Sequence, residues 1–371
     1  MKLLALLLVA APLSAQTATR PRLVIIGGGL SNQNRAVYEE IVRGRTGDGP
    51  ICVFPTASAV ENAGNSAIAT ITRYSGSTPV VGIPLTTATA KDADSPEIAA
   101  RIRTCSGYFF IGGDQSRIVE VFKPAGRSTL ALGAVLERYQ QGAVVSGSSA
   151  GAGMMSDPMI AGGTSAAALQ NGIRRDTGES RGVSIAPGIG FFKQAIVDQH
   201  FLARGRLARL IVATLSLPES RVGFGIDENT ALVVGDSEAW VIGESSVILV
   251  DARNAARDTG SQGGTGIRFA LLSSGDRYRL SDGQLTFDPT KRELPTVDVV
   301  PAQPEDLFAR RSFQTWLTTI ARSPKRTGTV NGGGYQLSFT PMPDFIVRGV
   351  SADSTKGLSA GPWKLDLRKS N

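Results

Sequence analysis

Ala143-Val144-Val145-Ser146-Gly147-Ser148-Ser149-Ala150-Gly151-Ala152-Gly153 is the stretch whose reading decides the fold. An apolar run passes into small residues and then into a segment able to start a helix. That pattern predicts a buried strand feeding a sharp strand-to-helix turn. Gly147-x-Ser149-x-Gly151 fits the G-x-S-x-G form in which such a turn lifts a serine hydroxyl above the edge of a sheet. The glycines permit the strained backbone, and the N–H of Ala150 is placed to meet an oxyanion developing beside Ser149. The plainer reading of the string is a turn of small residues that lets a helix pack closely. The flanking strand and helix favour a nucleophile.

Three other apolar runs end in the same way. Leu23 to Ile26 precedes Gly27-Gly28-Gly29, Ile51 to Phe54 precedes Pro55-Thr56-Ala57-Ser58, and Tyr108 to Ile111 precedes Gly112-Gly113-Asp114-Gln115. Helix-like stretches lie between them, at Ala67 to Tyr74, Pro96 to Thr104 and Leu130 to Gln141. Strands alternating with helices predict an α/β fold with a mainly parallel sheet flanked by helices. Functional loops in such folds follow the carboxyl ends of the strands, which is where these glycine-rich turns fall. Past Gly225 the pattern becomes a meander of short strands, at Ala231 to Val234, Ala239 to Ile242 and Val247 to Val250. From about Asp288 it weakens. Residues 21–287 therefore read as one domain and residues 288–371 as a β-rich C-terminal extension. Gly27-Gly28-Gly29 makes a poor dinucleotide fingerprint, because the third glycine of that motif would fall on Asn32.

The chain has 371 residues, 42% of them hydrophobic, and a single histidine. Its net charge is +7 and its pI about 9.6, but the Lys and Arg residues are scattered, so a solvated surface is expected rather than a nucleic-acid partner. Residues 1–15 read as a signal peptide: Lys2, an apolar run from Leu3 to Pro12, and Leu13-Ser14-Ala15 as the cleavage site before Gln16. That run is too short to span a bilayer. The mature protein is expected to be secreted, periplasmic or extracellular, with no membrane attachment once the signal is cleaved. Cys52 and Cys105 could pair in an oxidising compartment or be two buried thiols; pairing depends on their Cα separation. With one His they make no zinc site, so no metal and no cofactor is expected.

A serine nucleophile needs a base, and His200 is the one histidine to supply it. Gly113 could offer a second N–H to an oxyanion, and Gln115 a hydrogen bond to substrate. The plainer reading makes this a strand-to-helix turn with Asp114 as helix N-cap. Arg204, Arg206 and Arg209 follow His200, and arginine grips carboxylates with a two-pronged fork. On one continuous helix His200 and Arg204 would share a face and Arg206 and Arg209 would lie on another. An exposed basic helix is the plainer reading there.

Taken together, Phe110-Ile111-Gly112-Gly113-Asp114-Gln115, Gly147-Ser148-Ser149-Ala150-Gly151-Ala152, Asp198-Gln199-His200-Phe201 with the three arginines, and Gly225-Ile226-Asp227-Glu228-Asn229-Thr230-Ala231 resemble the cyanophycinase family of serine peptidases, which is related to dipeptidase E. The resemblance covers about Arg22 to Val250. It implies a fold like class I glutamine amidotransferases, with Ser149 as nucleophile and His200 as base. Gly113 and Ala150 then form the oxyanion site. It implies that Gln115, Asp198, Gln199, Arg204, Arg206 and Arg209 line the substrate pocket. The implied substrate is cyanophycin, a poly-aspartate backbone with arginine on each side chain, cleaved to β-aspartyl-arginine. The neighbouring alternatives are an aspartyl dipeptidase and a catalytically impaired binding protein. A homodimer is also expected, since members of the family often form one. The family's orienting acid follows shortly after the elbow, where this chain reads Gly162-Gly163-Thr164-Ser165-Ala166-Ala167-Ala168-Leu169. Asp157, Asp176 and Glu179 are the nearby carboxylates. The acid stays open at this point, with Glu179 favoured.

Overall fold

The computed structural model describes residues 22–60, 62–175, 181–351 and 357–370. Met1 to Ala15, Asp176 and Glu179 lie outside the described residues. Five strands form the parallel half of a first sheet: β1 (Leu23–Ile26), β2 (Ile51–Phe54), β3 (Val80–Gly82), β4 (Gly107–Phe110) and β5 (Val144–Ser148), in the order β1-β5-β4-β2-β3. Then follow β6 (Met159–Gly162), β7 (Ile173–Arg174) and β8 (Val183–Ala186), which make a small separate sheet. Next, β9 (Ile196–Asp198) and β10 (Val222–Ile226) open a second large sheet. The chain returns to the first with β11 (Thr230–Val234) and β12 (Glu238–Gly243), and crosses back with β13 (Ser246–Asp251). β11 pairs antiparallel with β1, and β13 antiparallel with β10.

Side-chain alternation in the first sheet sorts its two faces. Leu23 and Ile25 of β1 join one core, with Ile118 and Phe122 of helix Gln115–Phe122 and Val135 of helix Leu130–Gln140. Val24 and Ile26 join the opposite core, with Val37 and Ile41 of helix Arg35–Arg43 and Ile71 of helix Asn65–Tyr74. The expected sheet with helices on both faces is present. Phe224 and Ile226 of β10 and Leu249 of β13 also belong to the first of these cores, so the second sheet packs one face against the first. Its other face carries a third core, around Leu210 and Ile211 of helix Leu207–Ser216.

The region after Asp288 does not stand apart. Strands Tyr335–Gly349 and Ser359–Lys369 extend the second sheet, Ser359–Lys369 pairing with Gly264–Ser273, which in turn pairs with β13. The boundary expected near residue 288 is thus one of sequence pattern, while the sheet is continuous across it. Cys52 and Cys105 form a disulfide with a Cα–Cα separation of 5.9 Å, which settles the choice between a bridge and two thiols.

Candidate active site

Ser149 directly follows β5 and has φ 55°, a left-handed value that a non-glycine residue adopts only under constraint. Its neighbours supply that constraint. A Cβ on Gly147 would lie 2.3 Å from the Gly151 carbonyl oxygen, and one on Gly151 would lie 2.2 Å from that of Phe110. Both glycines of the motif are therefore required by contact, and the turn leads into the short helix Ala150–Gly153.

His200 follows β9, is buried, and also has positive φ, at 47°. Its Nε2 lies 2.9 Å from Ser149 Oγ, and its Nδ1 lies 2.8 Å from Glu228 Oε1. Glu228 sits in the turn between β10 and β11, where the chain crosses from the second sheet to the first. Three side chains on three separate segments thus form one hydrogen-bonded line.

The triple glycine after β1 makes room for this line. A Cβ on Gly28 would fall 2.3 Å from the His200 ring, one on Gly27 2.1 Å from the Asp227 carbonyl oxygen, and one on Gly29 3.1 Å from the Glu228 side chain. The His200 N–H donates to the Gly27 carbonyl at 2.6 Å and the Asn229 N–H to that of Gly28 at 2.8 Å. On the opposite side, Gly112 abuts Ser149, a Cβ there lying 3.2 Å from Ser149 Cβ. Gly113 has φ 146°, and a Cβ on it would collide with the Ala57 carbonyl oxygen at 2.1 Å, so the backbone passes the serine bare of side chains.

The favoured acid requires correction. The carboxylate that meets His200 Nδ1 is Glu228, which follows the histidine in the chain, so the order is Ser, His, acid. Asp157 is engaged elsewhere, with Lys123 Nζ at 2.9 Å and the Gly188 N–H at 3.1 Å. Glu228 belongs to the Asp227-Glu228-Asn229 stretch, and its signal was an acid beside a strand turn at the sheet crossover.

The expected pocket residues divide. Asp198 is buried and bound by the Arg209 fork, through Nε at 2.7 Å and through Nη2, and Arg209 Nη1 donates to the Gly163 carbonyl at 2.6 Å. Asp198 and Arg209 therefore satisfy one another inside the protein. Gln115 spends both N–H groups on the carbonyls of Ile160 and Ala161, leaving its amide oxygen as the group to face a ligand. The continuous helix over 200–209 is absent: helix Leu207–Ser216 begins late, and Arg204 and Arg206 lie on the loop before it. Arg204 is exposed, while Arg206 donates to the Gln199 carbonyl at 2.6 Å. Gln199 is buried with its side-chain oxygen unpartnered.

Burial holds the His200 imidazole below its ordinary value; the hydrogen bond to Glu228 opposes this, and the Arg204 and Arg206 charges add to it. For Glu228, burial pushes the carboxyl up. The His200 hydrogen bond and the Arg310 and Arg311 charges outweigh that and leave it lowered. Arg206 is brought down to about 10 by burial, against the pull of Asp198. A neutral imidazole with an ionised carboxylate behind it can accept a hydroxyl proton and carry it.

A family model described as peptidase family S51 matches residues 23–242. A cyanophycinase from Trichormus variabilis is 31% identical over 278 residues, covering 71% of this chain and 87% of the relative. A cyanophycinase from Synechococcus elongatus is 34% identical over 203 residues, covering 52% of this chain and 59% of the relative. Among solved structures, a peptidase from an acI-B1 Actinobacterium aligns with a TM-score of 0.50 at 19% identity, over 69% of this chain and 96% of that one, a likeness of fold.

Proposed function

This chain belongs to peptidase family S51 and is a serine-type peptidase; on that premise we propose that Ser149 is its nucleophile, His200 its general base and Glu228 the carboxylate that orients the base. The observation that carries this is the unbroken line from Ser149 Oγ through His200 to Glu228, at 2.9 and 2.8 Å. Ser149 Oγ attacks the carbonyl carbon of the scissile amide while His200 Nε2 takes its proton. The N–H groups of Gly113 and Ala150 stabilise the resulting oxyanion. Collapse expels the amine, which receives the proton from His200, and leaves an ester on Ser149. Water, deprotonated by the same imidazole, then frees the acid. Glu228 holds the Nδ1–H tautomer and balances the imidazolium in each half of the cycle.

The substrate we propose is cyanophycin, released as β-aspartyl-arginine, because the curated relatives are named cyanophycinases. Arg204, exposed beside His200, and the half-buried Arg206 suit the carboxylate groups of such a ligand. Export is proposed with it: the Cys52–Cys105 bridge is of a kind that persists in oxidising compartments. Mass spectrometry of cyanophycin incubated with the protein, beside Ser149→Ala, tests the activity. Dipeptide released by the unaltered protein alone supports it. No release, with another β-aspartyl peptide cleaved, moves the substrate to that peptide.

A further inference from the structure

We propose that Arg311, which lies outside the segment matched by the family model, is a positioning residue for His200; this rests on the Ser149–His200–Glu228 reading above. His200 sits in a left-handed conformation, and such a residue persists only where its surroundings over-determine it. The loop that follows it is held at consecutive residues. The Leu202 carbonyl accepts the Arg311 N–H at 3.0 Å, and the Ala203 N–H donates to Asp227 Oδ1 at 2.8 Å. Asp227 is fully buried, and its Oδ2 accepts from Arg311 Nη1 at 2.9 Å and from Ser245 Oγ at 2.6 Å. One arginine therefore grips the loop directly through its backbone and again through Asp227.

The same contact reaches the acid, because Asp227 immediately precedes Glu228. Arg311 is itself anchored, with Nη1 also donating to Gln314 Oε1 at 2.8 Å at the start of helix Ser312–Arg322. Nearby, a Cβ on Gly205 would lie 1.9 Å from the Phe308 carbonyl oxygen, so the chain before Arg311 rests directly on the loop. A buried carboxylate without its countercharge protonates or moves toward water. Losing the Arg311 guanidinium would thus free the Ala203 N–H and let the histidine loop and the Glu228 turn shift relative to Ser149. Arg310 makes a useful contrast: it is exposed, and its contact to Glu228 Oε2 is long, at 3.5 Å.

The test uses the full chain and the variants Arg311→Ala, Arg311→Lys, Arg310→Ala and Asp227→Asn. It reads kcat and KM on cyanophycin, the rate of Ser149 labelling by a fluorophosphonate, and thermal melting. Arg311→Ala is expected to lower kcat and the labelling rate together by about 10- to 100-fold, as a misplacement of the order of 1 Å does. KM should stay within about twofold, since no substrate contact is lost. Arg311→Lys should recover part of the loss, because it keeps the positive charge on a shorter side chain whose ammonium does not reach the place of Nη1. Arg310→Ala should cost no more than about threefold, as an exposed charge pair does. Should Arg311→Ala fail to fold, Arg311→Lys and Asp227→Asn carry the test. Variants that melt lower yet keep the unaltered kcat and labelling rate per folded molecule would overturn the proposal and leave Arg311 a stability contact. His200→Ala separates the two readings: if it labels at the unaltered rate, the Ser149–His200–Glu228 line has failed whatever Arg311 does.

Discussion

The two large sheets contribute unlike parts to the site. The first supplies Ser149, on a turn marked by Gly147 and Gly151 and held within that one sheet, against Phe110 of β4 and Ile26 of β1. The second supplies His200 at the end of β9, and the crossover between the sheets supplies Glu228. Those two are set by contacts between segments far apart in the chain: His200 to Gly27, Asn229 to Gly28, and Ala203 to Asp227. The turn that carries Ser149 is marked in the local sequence, because the glycine spacing around it sets where the strand ends and the helix begins. A base and its acid must be aimed at something elsewhere, so their positions belong to the packing of one sheet on the other.

The sharpest challenge to this contrast is Glu228→Gln, which keeps the size of the side chain and removes its charge. By the behaviour of other serine triads kcat should drop by about 10⁴-fold. Unchanged turnover would make Glu228 a bystander and reopen the choice of acid. Gly28→Ala asks whether the sheets meet as described. Its Cβ would occupy the imidazole's place, and displacing the ring should cost about 10²-fold or more in kcat/KM, with the circular dichroism spectrum retained. An unaltered rate would put the His200 ring elsewhere.

Arg209→Ala sharpens the comparison by separating pocket from scaffold. Asp198 would be left buried with the more distant Arg206, at 3.7 Å, as its remaining cation, so chemical denaturation should show a loss of about 3–5 kcal/mol, with KM little altered in whatever protein folds. A raised KM with normal stability would return Arg209 to the substrate. The smallest effect concerns pH. Protonation of His200 removes the base, so kcat/KM falls as pH drops through its pKa. Burial holds that pKa below the ordinary 6.5, placing the acid limb on the acid side of 6.5. Arg204→Ala removes one of the cations that lower it and should move the limb to higher pH. A shift in the opposite direction would mean that Arg204 does not act on the histidine through its charge.

What the sequence disclosed follows the same division. The strands at Leu23 to Ile26 and Ile51 to Phe54, the turn at Ser149 and the importance of His200 were legible, because local hydrophobic pattern, glycine spacing and the presence of a single histidine suffice for them. The role of Gly28 was not. Its glycine was read as a turn, and only the fold brings the imidazole over it. Glu228 was visible as part of a motif but not as an acid for His200, since nothing local links a β10–β11 turn to a loop after β9. Asp198 and Arg209 are pocket residues only by what the family resemblance implies, and no local signal pairs them. The late start of helix Leu207–Ser216 turns them toward each other instead. The strands after Asp288 gave weak signals because proline, glycine and charge interrupt them, although they extend the second sheet.

The Cys52–Cys105 bridge has a consequence for the denatured chain. It closes a ring spanning 53 residues, from β2 to the residue two before β4. A closed ring of that size removes conformations from the unfolded ensemble, and by chain statistics this favours the native state by about 4 kcal/mol. The strands it ties also hold the site, because Gly113, just beyond β4, rests on Ala57, just beyond β2. Reduction would narrow the margin against unfolding by returning entropy to the competing state.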